Sequence, residues 1–180
     1  MCIRDRVNLD VHIEEGDHDD DHDGEPGHGF AMPVSGDDHD HGDLWAGRSN
    51  YSGVFGSTEI EDSPGNGNGT FFGNSRVALR DFHDGLSQTM IIGERRNDLG
   101  TISWVGVVPE LEEAAARIVG SADHAPNSPD GHFEDFRSFH LGGINTVLGD
   151  GSVHFMASSI EETLFQSLAT RGGGEVAAVE

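Results

Sequence analysis

The sequence contains no lysine: its 10 basic residues are all arginine, set against 33 acids, for a formal charge of −23. Such an excess of carboxylates repels phosphate backbones and anionic bilayers, so nucleic acid is not expected as a partner and a charged lipid surface is disfavoured. Cysteine occurs once, at Cys2, and therefore neither an intrachain disulfide nor a multi-cysteine metal centre can form. No apolar run reaches the ~20 residues a membrane helix needs, and no charged-then-apolar secretion signal opens the chain. The GxxxxGK[ST] phosphate loop, the GxSxG elbow and the HExxH helix are also missing, which removes the motif-bearing nucleotide, serine-hydrolase and zinc-protease classes. With 34% hydrophobic and 7% aromatic residues, the 180 positions suffice for one modest core.

What is present divides into three stretches. In 1–16, Met1 to Arg6 (MCIRDR) reads like translated adapter sequence at the edge of a contig, which places the expected true start upstream. Val7, Leu9, Val11 and Ile13 then alternate with polar residues, the period of a half-buried strand. Stretch 17–43 carries His18, His22, His28, His39 and His41 among nine Asp. Such a composition cannot repay its ordering entropy by apolar burial, so a disordered insertion is expected. Its imidazoles, His18 with His22 and His39 with His41, are candidate ligands for Zn²⁺ or a similar ion, and a metal-binding surface protein is the alternative function they suggest.

Stretch 44–180 is the predicted globular domain. Thr70 to Gly73, Ser75 to Arg80, Thr89 to Glu94 and Thr101 to Val108 read as strands, with Trp104 in the core of the last. Pro109 opens a predicted helix whose Leu111, Ala115 and Ile118 share a face and whose end is Gly120. Asp150-Gly151 is the favoured dipeptide of a two-residue hairpin turn. That turn would set Leu148 against Val153, Thr146 against Phe155 and Ile144 against Ala157, all on the core face. Ser158 or Ser159 would cap a helix bearing Ile160, Leu164 and Leu168 on one side, with Arg171 at its negative end and Gly172 as its left-handed stop.

His140, nine intervening positions, and Asp150-Gly151 are similar to the signature of the prepilin-type H-x9-DG proteins, domain of unknown function family 1559. Four further blocks resemble the same family: SNYSGVFGS (49–57), NSRVALRDFHDGLSQTMIIGER (74–95), TISWVGVVP (101–109) and LATRGGGE (168–175). The resemblance implies a pilin-like head, α+β and mainly antiparallel, that follows a pilin helix absent from this fragment. It implies a non-enzymatic, pseudopilin-like assembly role in the cell envelope or outside it, in the manner of type II secretion. Partners would be copies of itself or other pilin-like subunits, with membrane contact only through that N-terminal helix.

His140, Asp150 and Gly151 are read as structural motif residues, since a DG turn selects Asp for its backbone tolerance. The competing reading is a hydrolase in which His140 and Asp150 work with Ser138, Ser152 or His154. Asp81 and Asp84, with Ser87, have the spacing of oxygen ligands in a loop, for which Ca²⁺ would be the fitting ion, against a solvated turn.

Overall fold

The computed structural model describes residues 48–100, 102–104, 106 and 113–174. The strand expected at 7–16, the tract 17–43 with His18, His22, His39 and His41, and the start of the helix expected at Pro109 lie outside those residues. Ser49–Glu180 forms a compact unit of its own.

Five strands build one sheet: β1 (Tyr51–Gly56), β2 (Met90–Glu94), β3 (Val119–Ser121), β4 (Gly143–Leu148) and β5 (Val153–Ala157). Their spatial order is β3-β1-β2-β4-β5. The β1–β2, β2–β4 and β4–β5 ladders are antiparallel and β1–β3 is parallel. One helix, α1 (Glu162–Ala169), follows the last strand. The α+β, mainly antiparallel architecture read from the sequence is therefore the one observed.

Alternation places Val54, Met90, Ile144, Leu148 and Met156 on the inner sheet face, where Phe165, Leu168 and Ala169 of α1 close over them. Complete burial of such side chains stabilises by about 1.5–3 kcal/mol each, which is what holds this short helix to the sheet. Phe136 joins the same core by packing against Gly93, where an added Cβ would stand 2.4 Å from its ring. Only glycine permits that approach. Over β1 and β3 the opposite face is covered by a second cluster of Phe55, Ile60 and Ala116, flanked by Phe72, Val119 and Phe133.

The hairpin differs from expectation by one position. Val147 pairs with Val153, Thr146 with His154 and Ile144 with Met156. The Leu148 amide donates to the Ser152 carbonyl at 2.9 Å and the Gly151 amide to the Leu148 carbonyl at 2.9 Å, so the connection has three residues, Gly149 to Gly151. Gly151 alone of these takes a positive φ, +86°. That is the type I turn closed by a left-handed glycine, whereas the two-residue turn requires positive φ at Asp150 as well. Because the side-chain period is two, the shift sends Val153 (68% exposed) and Phe155 (52% exposed) to solvent in place of the core.

Other expectations are also corrected. Residues 113–118 are turns and Val119–Ser121 is a strand, where the sequence suggested one helix. Two of their carbonyls are satisfied from outside the segment: the buried Arg95 guanidinium donates to the Ala116 oxygen at 2.6 Å and the Val119 oxygen at 2.8 Å. Trp104 is 52% exposed, its indole N–H donating to the Ser49 hydroxyl, so it is no core residue. Residues 70–73 and 75–78 form no strand, and Leu79–Asp81 is a 3₁₀ turn. In α1 the cap is Glu161, whose carboxylate accepts from the Leu164 amide at 2.9 Å, and neither Ser158 nor Ser159 caps it. The helix closes at Thr170 in extended backbone, without a left-handed Gly172. Ile160, Leu164 and Leu168 do pack on the core as the pattern indicated.

Candidate functional site

Two groups of side chains gather titratable chemistry on this scaffold. The first surrounds the hairpin motif. His140 precedes β4 and Asp150 follows it, so the six-residue strand holds them roughly 20 Å apart. They are not brought together. His140 instead meets Glu94 at the end of β2, Nε2 to Oε1 at 3.1 Å. The other Glu94 oxygen accepts from the Asn145 amide at 2.9 Å and its side-chain nitrogen at 3.1 Å. Burial and the Glu94 charge push the neighbouring Tyr51 phenol up. Asp150 is exposed at the hairpin tip, where the Ser152 hydroxyl (2.6 Å) and amide (2.9 Å) donate to it and hold its carboxyl below the usual range. Those are turn-closing bonds, with Gly151 supplying the left-handed corner. Ser138 is buried and donates to the Gly143 carbonyl at 2.6 Å, while His154 meets the Ser152 hydroxyl at 3.0 Å.

Asp81 and Asp84 do not share a site either. Asp81 accepts from the Ala78 amide at 2.8 Å within its own 3₁₀ turn. Asp84 accepts from the Gly173 and Gly174 amides, both at 2.8 Å. Arg171, expected to serve the end of α1, donates to the carbonyls of Gly67 and Gly69 and lies 5.1 Å from the Phe72 ring centre. These bonds tie the residues that follow α1 to the glycine-rich loop and to the loop before β2.

The second group carries no recognisable motif in the sequence. β1 and β3 run parallel, so the segments leaving them, with Glu59 after β1 and Asp123-His124 after β3, emerge side by side. A parallel bridge from Ser121 to Asp135 adds the segment carrying His132, Glu134 and Asp135. His132 Nδ1 lies 3.3 Å from Glu59 Oε1, and His124 Nδ1 lies 3.0 Å from Asp135 Oδ2 and 3.5 Å from Asp123 Oδ2. The two imidazole rings meet edge to face at 4.9 Å. Asp135 also accepts from the His132 amide at 2.6 Å.

Charge is unevenly settled in this group. Burial, followed by a hydrogen bond to Glu59, pushes the Glu134 carboxyl up. Burial pushes Asp135 up as well, against the donors of His132 and His124. Burial pulls the His124 imidazole down, yet Asp135, Asp123 and Glu162 together outweigh it and leave it raised. Glu59, His132 and Glu134 each place one ligand atom within 4.8 Å of the others, and so do Asp123, His124 and His132. One acid before the first histidine and two after the second, in AD-H-APNSPDG-H-FED, are the visible signal. Glu59 gave none, being far away in sequence.

A family model matches residues 19–163, more than half of the chain; its family is described as a protein of unknown function, DUF1559. The chain belongs to this DUF1559 family. No curated protein and no solved structure is significantly similar to it. The span matched by the DUF1559 model takes in all five strands and both histidine-bearing groups, and it stops inside α1. No helix among the described residues is long and apolar enough to cross a membrane.

Proposed function

We propose that this DUF1559 chain is the head of a non-enzymatic, pseudopilin-like assembly subunit of the cell envelope, and that it self-associates through the uncovered side of its sheet. The observation that carries this reading is the outer face of β4 and β5. Val153 and Phe155 stand out from a strand that has no neighbour on its far side among the described residues. Half-buried Ile92 and Val147 and exposed Tyr51 continue the same face across β2 and β1. Phe139 and Leu141, before β4, are more exposed still.

An apolar stripe beside an unpaired strand edge is where one chain adds to another, by burial and by shared ladder hydrogen bonds. A second copy offers the same stripe in return, as a two-fold interface needs. The H-x9-DG resemblance supports the envelope setting, and a role for His140 and Asp150 at the two ends of β4 as shaping residues supports the non-enzymatic reading.

The test expresses the gene with its upstream reading frame in a bacterium that has a prepilin peptidase. Fractionation and chemical cross-linking should recover a processed, envelope-associated ladder of multimers, and Phe155→Asp should abolish the ladder while the circular dichroism stays unchanged. An unprocessed cytoplasmic monomer, or a ladder indifferent to Phe155→Asp, would overturn the reading.

A further inference from the structure

We propose that Glu59, His132 and Glu134 form a binding site for one divalent transition-metal ion of the Zn²⁺ class, separate from the imidazoles of residues 17–43. One ligand atom from each residue lies within 4.8 Å of the others, a span one cation can bridge. A tetrahedral zinc ion with bonds of about 2.0–2.2 Å sets its ligand atoms about 3.3–3.6 Å apart. His132 Nδ1 and Glu59 Oε1 already stand 3.3 Å apart.

The donor set selects the metal. One imidazole with two carboxylates suits zinc and its neighbours, whereas calcium and magnesium would call for oxygen alone. Water would fill the remaining positions, because His132 is exposed and Glu59 only half-buried, which gives the ion a way in. Glu134 is 5% exposed, and its carboxyl gathers with that of Glu59 and with the His132 ring. A cation held among them would offset the cost of keeping a carboxylate out of water. Arg95 is near, but its three hydrogen bonds go to the carbonyls of Ala116, Val119 and Phe133.

The surroundings hold the imidazole in place. Asp135 fixes the His132 amide at 2.6 Å and the His124 ring at 3.0 Å, and that ring packs edge-on against His132. Such outer contacts orient a ligand before the ion arrives. They also decide which side the ion occupies: His124 Nδ1 is engaged by Asp135, while His132 Nδ1 faces Glu59.

The test uses the full chain with His18, His22, His28, His39 and His41 replaced by Asn, so that those five imidazoles cannot compete. Zn²⁺ is titrated against a chromogenic chelator, and Co²⁺ absorption reports the ligand field. One equivalent should bind, Zn²⁺ should raise the melting temperature, and His132→Asn, Glu134→Gln and Glu59→Gln should each weaken binding roughly tenfold or more. His83→Asn, on the exposed loop before β2, should change nothing. Glu59 is only half-buried, so Glu59→Gln remains informative if a variant at the buried position fails to fold. No zinc binding by the parent, or equal affinity in the parent and these three variants, would overturn the site.

Discussion

Val153 stands opposite Val147 across the β4–β5 ladder, one place from Leu148. The single residue added to the turn, with Gly151 at φ +86°, sets this. Met156 enters the core beside Ile144 and Leu148 as a result, and Val153 and Phe155 become the apolar outer stripe. Had the loop held two residues, the chain would bury that stripe and expose Met156.

The register makes a contrast that unfolding can measure. Leu148→Ala and Met156→Ala should each cost about 2–5 kcal/mol, as truncations that leave a cavity in a packed core. Phe155→Ser and Val153→Thr should stay within about 1 kcal/mol, since both side chains are already largely in water. Urea titration by tryptophan fluorescence and circular dichroism would show the order, and the opposite order would mean a two-residue turn.

Two glycines should respond differently to alanine. Gly151→Ala forces a side chain into left-handed backbone, which costs about 1–2 kcal/mol and nothing more, because no atom lies near the new Cβ. Gly93→Ala drives a methyl into the Phe136 ring at 2.4 Å, where relief requires moving a core aromatic. Overpacking of that kind costs about 1–3 kcal/mol and should also unsettle Phe165, which meets Phe136 edge to face at 6.3 Å. Melting temperatures and aromatic proton shifts would separate the two cases.

Arg95→Met keeps the approximate volume and removes three donors to buried carbonyls. Orphaned acceptors cost about 1–3 kcal/mol each when no water replaces the bond, so a total loss of at least about 3 kcal/mol is expected. β3 and the turns before it should loosen first, because their carbonyls depend on this side chain. Hydrogen exchange concentrated at 116–121 would report it, and uniform exchange would refute it.

Acid should remove the α1 cap. The Thr163 hydroxyl and Leu164 amide hold the Glu161 carboxyl below its usual range. A depressed carboxylate contributes stability above its unfolded pKa and loses it as pH falls through the folded one. The difference in melting temperature between the parent and Glu161→Ala should therefore be full at neutral pH and vanish in acid, below the ordinary carboxylate range. A difference that persists there would mean that Glu161 acts by packing.

Local pattern carried β2, the Asp150-Gly151 bend and the apolar face of α1, because period-two burial, turn glycine and four-residue spacing are properties of neighbouring residues. It failed at 113–121, where a distant buried guanidinium holds the Ala116 and Val119 carbonyls and the chain turns into a strand. It failed at Trp104 too: an apolar run does not say whether anything covers it.

Legible in the chain without its fold were a hairpin that bends at Asp150-Gly151 and an apolar face on α1, both of which rest on short-range backbone chemistry. Tertiary structure alone decided the register of β5, the pairing of His140 with Glu94, and the meeting of Glu59 with His132 and Glu134. Those depend on one turn residue and on strands far apart in the chain, and packing energy chooses among such arrangements only when the whole sheet is assembled.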